Sequence, residues 1–452
     1  MPSKRERRRK TLIVGLGRTG LSCARYLATR GVASAVTDSR EHPPGLDQLR
    51  MELPDIGLFL GHFDPSVFAA AERLIVSPGV SIREPLIRDA VAHGIPVLGD
   101  IELFAQVAKA PVAVITGSNG KSTVTSLLGD MALAAGRRVK VGGNLGEPAL
   151  DLLSDETELY LLELSSFQLE TTYSLMPKVA VVLNVSADHM DRYDGLQDYA
   201  DTKAKVYEQA EIRVFNRDDP MVMAMRQGDN GDLFFTLSDP TTSGIFGLRR
   251  VDGVVWIACG KENLFPASEL RLPGRHNLVN ALAALALGTA LGLPLAAMRE
   301  ALRSFRGLPH RTEFVGEHEG VDWFNDSKGT NPGACIAALE GLHSEEGAAR
   351  TVLIAGGEAK GADFSPLVPV VARTARAVVL IGRDAPLIEQ VLGDVVPLMH
   401  ARDLEDAVAL AAAQALPGDR VLLSPACASF DMFRNYEQRG EAFMAAVGRL
   451  MR

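Results

Sequence analysis

The chain has 452 residues, 47% of them hydrophobic, and a formal net charge of −9. That is too much sequence for one core, and three domains of ordinary size fit it best. No apolar run reaches membrane-spanning length, which excludes a helical anchor and leads to the expectation of a soluble protein without a membrane partner, while the acidic balance argues against nucleic acid. Four cysteines, Cys23, Cys259, Cys335 and Cys427, lie far apart without metal-ligand spacing and suit reduced thiols in a cytoplasm. The N-terminal MPSKRERRRK reads as a solvated basic tail, since the apolar stretch behind it stops at Gly15, too soon for a signal peptide.

Apolar strand-like runs then alternate with amphipathic helical segments, which predicts an α/β fold of parallel sheets covered by helices on both faces. A first block opens with a strand over 11–14, turns through Gly15-Leu16-Gly17-Arg18-Thr19-Gly20 and continues as a helix to about Gly31. Strand-like runs follow at 33–37, 74–76 and 95–98, and a Gly99-Asp100 turn closes the block. The second block has strands at 112–116, 159–162 and 179–182, a strand and hairpin over 245–258, and an alanine- and leucine-rich helix over 277–292. The third begins near Gly307-Leu308-Pro309 and carries strands at 351–355, 377–381 and 420–423. The expected boundaries are 1–99, 100–307 and 308–452.

Between the strand at 112–116 and the next helix lies Gly117-Ser118-Asn119-Gly120-Lys121-Ser122-Thr123, a phosphate-binding loop. Glycines let backbone N–H groups curl around phosphate oxygens, the helix offers its positive end, Lys121 reaches the outer phosphates, and a hydroxyl meets magnesium. The usual P-loop has a further glycine separated from the Gly-Lys pair by four residues; here that place is Ile115, and the compressed loop points away from ordinary kinases and GTPases.

Ligands of open α/β sheets sit beyond the carboxyl ends of strands, which gives weight to Glu163 after 159–162 and to Asn184, Asp188 and His189 after 179–182. Together they would set a carboxylate and an imidazole near nucleotide phosphates, where a divalent ion bridges oxygens. Taken singly, Glu163 reads equally well as a capping carboxylate, His189 as a structural histidine, and Asp188 and Asp191 as loop-solvating residues. In the first block, Gly15 to Gly20 match a dinucleotide fingerprint and Asp38 stands where a ribose-binding acid would. Alone this reads as NAD, but any second nucleotide would satisfy it. In the third block, Arg311, Asp326 and Lys328 lie in GLPHRTEF and FNDSKGTNP, whose glycines, prolines and asparagines mark built loops. An arginine can clamp a γ-phosphate, an aspartate can hold ribose or metal, and a lysine can bind carboxylate or phosphate. Lys360 and Ser429 again follow strand-like runs.

The motifs ITGSNGKST, ELSSFQLETT, NVSADHMDRY, GRHNLVNALAALAL, GLPHRTE, NDSKGTN and SPACASFD occur in this order. With the glycine turn they span residue 15 to about 440, and the string resembles the Mur ligases of peptidoglycan synthesis, in particular the branch that adds D-glutamate. The resemblance implies a Rossmann-like N-terminal domain for a UDP-sugar, a central P-loop ATPase domain, and a C-terminal dinucleotide-fold domain that binds the amino acid and closes on ATP. It reassigns the glycine turn from NAD to UDP-sugar, with Leu16, Arg18, Thr19 and Gly20 beside the diphosphate and Ser39 and Arg40 near the uracil. It places Gly117 to Thr123 on the ATP phosphates, Ser122 and Glu163 on a first magnesium, Asn144 and His189 on the muramoyl substrate, and His189 also on a second magnesium. Lys203, in YADTKAKVY, aligns with a lysine carried as a carbamate, an anion able to hold magnesium. Lys205 competes for that role, and the spacing from His189 favours Lys203. Asn277, Asn280, Arg311, Asp326 and Lys328 would serve ATP, and Thr330, Lys360, Ser429, Phe430 and Tyr436 would serve D-glutamate. The implied reaction is ATP-driven amide formation between UDP-N-acetylmuramoyl-L-alanine and D-glutamate in a monomeric cytoplasmic enzyme, with Lys121, His189, Lys203 and Arg311 carrying catalysis. A folylpolyglutamate-synthetase-like ligase would share the ATPase core but lack the N-terminal glycine-turn block. An NAD-dependent dehydrogenase would leave the P-loop without purpose, and a non-catalytic nucleotide-binding regulator would not need so many charged strand-end residues.

Overall fold

The computed structural model describes residues 10–228, 231–271, 274–343 and 349–452; the basic tail before Lys10 lies outside the described residues. Three sheets follow one another along the chain. The first contains β1 (Lys10–Val14), β2 (Ser34–Asp38), β3 (Gly57–Leu60), β4 (Ala71–Val76) and β5 (Val97–Leu98), all parallel, in the order β3-β2-β1-β4-β5.

The second sheet has nine strands: β6 (Val112–Thr116), β7 (Val139–Gly143), β8 (Leu159–Glu163), β9 (Val179–Val182), β10 (Ile212–Asn216), β11 (Leu233–Phe235), β12 (Ile245–Val251), β13 (Val254–Cys259) and β14 (Glu262–Pro266). Their order is β14-β13-β12-β11-β10-β9-β6-β8-β7, so β6 lies between β9 and β8. β6, β8 and β9 are buried at every position, as strands covered on both faces must be. Each buried Val, Ile or Leu side chain contributes about 1.5–3 kcal/mol, so the platform that fixes the ends of these strands is stiff.

The third sheet consists of β15 (Glu313–His318), β16 (Val321–Asn325), β17 (Thr351–Gly356), β18 (Ala375–Ile381), β19 (Leu398–His400) and β20 (Arg420–Leu423), in the order β15-β16-β20-β17-β18-β19.

The α/β class holds, with four differences from the sequence-based expectation. The sheets are not parallel throughout: the expected hairpin over 245–258 is present as β12 and β13, but antiparallel β14 extends it into a meander, and β15 pairs antiparallel with β16. Strands β3, β7, β11, β14, β15, β16 and β19 had no matching apolar run, because they are short or lie toward sheet edges; β10 is central and mostly buried, but Arg213 and Asn216 interrupt its apolar residues. Glu163 is the last residue of β8 rather than the first beyond it. Gly99 does not close a simple turn; it is the N-cap of a helix that Asp100 opens, Asp100–Ala105.

Candidate active site

The sheet orders bring the functional side chains together. Adjacent β9, β6 and β8 end at Asn184 to His189, the phosphate loop and Glu163, while β7 ends beside β8 and delivers Asn144. The loop itself is four residues long, from Gly117 to Gly120, between β6 and the helix Lys121–Ala134. Gly120 has φ of 82°, and a Cβ there would stand 2.5 Å from the Asn280 Oδ1 atom, so the compressed turn requires glycine. Asn184 stitches the loop to β9: its Oδ1 accepts from the Asn119 N–H at 2.8 Å, and its side-chain amide donates to the Asn119 carbonyl at 3.1 Å.

The Lys121 ammonium donates to the Gly117 and Ser118 carbonyls, both at 2.8 Å, and burial holds its pKa below the ordinary lysine value. Lys203 is 1% exposed, donates to the Gly117 carbonyl at 3.0 Å and lies 4.3 Å over the Tyr199 ring. Burial first, and the Lys121 charge second, push its pKa well below the lysine range. Lys205 instead turns toward the Leu169 carbonyl at 3.4 Å, away from the phosphate loop.

Glu163 Oε1 accepts from the Asn144 amide at 2.6 Å, and its buried Oε2 has no hydrogen-bond partner among the described residues. An orphaned carboxylate oxygen beside a phosphate loop is what a cation would satisfy. Among the described residues no three His, Cys, Asp or Glu side chains form a metal cage. The donor set therefore fits a hard ion that takes most of its oxygens from a nucleotide and water, as magnesium does. His189 follows β9 in the left-handed region at φ of 58°, with Nε2 3.7 Å from Asp188 Oδ2 and its ring edge-on to Phe167. Burial lowers its pKa below the ordinary value.

The third sheet faces this cleft with the ends of adjacent β16, β20 and β17. The Arg311 guanidinium donates to Ser122 Oγ at 2.8 Å, joining the third block directly to the phosphate loop. Asp326 accepts from Ser424 Oγ at 2.7 Å and from the Thr312 N–H at 3.1 Å, and burial raises its pKa to about 6. Lys328, lowered to about 8 chiefly by burial and then by Arg311, lies 3.8 Å over the Tyr436 ring. Lys360, at φ of 50°, stands 5.1 Å over the exposed Phe430 ring, whereas Ser429 is buried and Thr330 half-buried. The structure thus pairs Tyr436 with Lys328, and Phe430 with Lys360. Asn277 and Asn280 share a helix face, 3.4 Å apart, and line a small apolar pocket with Thr123, Leu127, Leu270 and Phe305.

A second cleft, about 440 Å³, lies at the β1/β4 switch of the first sheet and is lined by Gly15, Gly17, Arg18, Thr19, the segment from Asp38 to Arg40, Phe63 and the segment from Ser77 to Val80. Leu16 is fully buried behind it, and Gly20 supports the turn, since a Cβ there would lie 2.0 Å from the Gly15 carbonyl oxygen. Asp38 Oδ2 accepts the Leu16 N–H at 2.7 Å, and both its oxygens take the Arg40 guanidinium at 2.8 Å. Buried and fully engaged, Asp38 orders the turn rather than standing free for a ribose. Arg192 joins the two clefts: it donates to the Pro78 and Val80 carbonyls and pairs with Glu170 at 2.7 Å, three residues beyond His189.

Three family models match the chain in order: the N-terminal domain of MurD-like Mur ligases over 9–99, the Mur ligase middle domain over 115–288 and the glutamate ligase domain of Mur ligases over 310–427. The chain belongs to the Mur ligase family. UDP-N-acetylmuramoylalanine--D-glutamate ligase of Marinobacter nauticus is 55% identical over 97% of this chain and 98% of its own length. The protein of that name from Pseudomonas aeruginosa is 52% identical over 97% and 98%. Among solved structures, a pseudomurein peptide ligase type C from Methanothermus fervidus aligns with a TM-score of 0.62 at 17% identity, covering 98% of this chain and all of that one. UDP-N-acetylmuramate-alanine ligase of Thermotoga maritima aligns at 0.61 and 18%, covering 98% and 99%. These two show a shared fold.

Two residues of this Mur ligase had no role in the sequence-based set. Arg439, 1% exposed on the helix Tyr436–Leu450, donates to Ser327 Oγ and to the Ser327, Cys427 and Ala428 carbonyls. It braces the loops after β16 and β20 from beneath, and its place on an amphipathic helix gave no sign of burial. Asn331 closes the FNDSKGTN motif and reaches across to the phosphate loop and Asp188.

Proposed function

We infer that the chain is an ATP-dependent ligase that joins D-glutamate to UDP-N-acetylmuramoyl-L-alanine, forming a peptidoglycan precursor and releasing ADP and phosphate. The observation that carries this reading is the meeting of a phosphate loop, an orphaned carboxylate oxygen and Arg311 from the third block in one cleft. The relatives' name supports the substrates, and family membership supports ATP. No described helix is long and apolar enough to cross a membrane. The proposed setting is the cytoplasm, with the enzyme acting as a monomer on soluble precursors. The proposed units are 1–99 for the UDP moiety, 100–307 for ATP and 308–452 for the amino acid.

In the proposed mechanism, Arg18, Thr19, Ser39 and Arg40 hold the UDP end, with Leu16 and Gly20 shaping the turn, while Asn144 and His189 orient the alanyl carboxylate toward the γ-phosphate. Lys121 exchanges its two backbone carbonyls for phosphate oxygens, and Arg311 moves from Ser122 Oγ to the transferring phosphoryl group. Asn277, Asn280, Asp326 and Lys328 position the rest of the nucleotide. The carboxylate oxygen bonds to phosphorus as the bond to ADP breaks, giving an acyl phosphate. Thr330, Lys360, Ser429, Phe430 and Tyr436 present D-glutamate, whose amine attacks the activated carbonyl and displaces phosphate. Ser122, Glu163, His189 and Lys203 are the residues that would hold magnesium, which would offset phosphate charge. The low basicity of buried Lys203 supports its carriage as a carbamate, because only the neutral amine adds to carbon dioxide and the resulting anion suits a cation site.

The test is phosphate release from ATP plus UDP-N-acetylmuramoyl-L-alanine, comparing D-glutamate with L-lysine, diaminopimelate and L-alanine. Release with D-glutamate alone is expected; release with another amino acid instead overturns the substrate assignment.

A further inference from the structure

The third block touches the phosphate loop at a second point besides Arg311. Asn331 is the N-cap of the helix Pro332–Leu342: its Oδ1 accepts from the Ala334 N–H at 2.8 Å, which fixes the orientation of the amide. The Nδ2 group then points out of the third block and donates to Asp188 Oδ2 at 3.0 Å and to Asn119 Oδ1 at 3.4 Å. Asn331 is buried, so these bonds are formed out of water. Asn119 belongs to the phosphate loop, and Asp188 immediately precedes His189.

The helix behind Asn331 is shaped for this approach. A Cβ at Gly333 would stand 3.2 Å from Ser186 Oγ and 3.3 Å from the Asn119 amide, and one at Gly341 would come within 2.6 Å of the His276 ring. All three neighbours lie in the middle block, so side chains at either position would hold the helix off. Asn331 sits at the leading end of this close-docked surface.

We propose that Asn331 is a positioning residue that latches the C-terminal domain onto the ATP site: its amide is satisfied only when the domain is closed, and through Asp188 and Asn119 that closure sets His189 and the phosphate loop. The inference rests on the ligase reading above. The amide does two separable things, capping a helix through oxygen and latching through nitrogen, and a substitution can divide them.

Aspartate caps helices as well as asparagine does, but Asn331→Asp removes both donated bonds and sets a carboxylate against Asp188. The expected result is a folded protein that still unfolds cooperatively, UDP-substrate binding within about twofold of wild type, and kcat lowered roughly ten- to a hundredfold, the range for losing hydrogen bonds to a charged group. Small-angle scattering with a non-hydrolysable ATP analogue should give a larger radius of gyration for Asn331→Asp than for wild type. Combining Asp188→Asn with Asn331→Asp restores a donor and acceptor across the same gap and should recover the compact form and part of kcat. Wild-type kcat and scattering in Asn331→Asp would overturn the latch, as would a loss of both that the paired exchange leaves untouched. If wild type itself released no phosphate with the proposed substrates, the ligase reading would fail, and the scattering comparison would still decide the latch.

Discussion

Asp100 supplies a stability prediction whose size follows from its surroundings. It opens the helix Asp100–Ala105 at the junction of the first two blocks, is 1% exposed, and has one oxygen 3.3 Å from the Gln168 amide and the other without a side-chain hydrogen-bond partner among the described residues. Burial raises its carboxyl from 3.8 to about 6, against the smaller opposing effect of Gln168 and the first-turn backbone N–H groups. Because the folded pKa lies above the unfolded one, the folded state retains a proton that the unfolded state has released. Its stabilising contribution is complete below pH 4 and is lost as pH rises through 6. A shift of about two units corresponds to about 3 kcal/mol forfeited at pH 8. Asp100→Asn removes that ionisation and gives up about 0.3–1 kcal/mol of favourable charge at the helix N-terminus. The balance is a gain of about 2 kcal/mol at pH 8, a rise in melting temperature of roughly 4–8 °C for a domain of this size, and almost no gain at pH 4. Thermal unfolding at the two pH values measures it, with turnover at pH 8 as a control expected to stay within about twofold. Destabilisation at pH 8, or an equal gain at both pH values, would refute the reasoning.

Lys121→Ala should abolish ADP formation while leaving UDP-substrate affinity unchanged, because the 440 Å³ cleft is lined by the first block; calorimetric titration of the UDP-substrate separates the two effects. Lys203→Met should raise the melting temperature in bicarbonate-free buffer, since it removes a buried amine whose protonation is disfavoured, and leaves the Gly117 carbonyl bonded to Lys121. The same variant should lose at least about a hundredfold in turnover, partly restored by short-chain carboxylates, as expected for a missing anion beside a metal; undiminished turnover would remove Lys203 from the mechanism. Tyr436→Phe should keep the ring over Lys328 and change the KM for D-glutamate by less than about threefold, so a larger rise would assign the hydroxyl a direct contact.

The parts legible in sequence were those written locally. Fully buried parallel strands leave unbroken apolar runs, so β6, β8, β9, β17 and β20 could be read, and the polar residues beyond them marked the cleft. β15 was not legible because its exposed and half-buried positions mix Glu, Gly and His with Phe and Val. Its pairing with β16 begins inside the segments that read as loops, at Glu313 with Asn325 and Phe314 with Phe324. Asp38 carried a misleading signal: its spacing from the glycine turn suggests a ribose contact, but the side chain is consumed by Leu16 and Arg40. Asn331 carried none, since an asparagine before proline reads as a turn or cap, and its second partner lies 143 residues away in another block.

The charges in the cleft explain why its parts must be spread over separate blocks. Lys121, Lys203 and Lys328 each have lowered basicity through burial. Lys121 meets its needs on Gly117 and Ser118, Arg311 on Ser122, and Lys328 on the Tyr436 ring. Each of these is a neutral partner standing where a phosphate oxygen would be a stronger one. A rigid one-domain cavity with so many cations would be costly to hold together without its anion. In the closure proposed above, dividing them between the phosphate loop and the third block would let the nucleotide offset the desolvation as the two halves meet. Closure and charge compensation would then be the same event, with Asn331, a neutral donor, holding the halves in register without adding another charge.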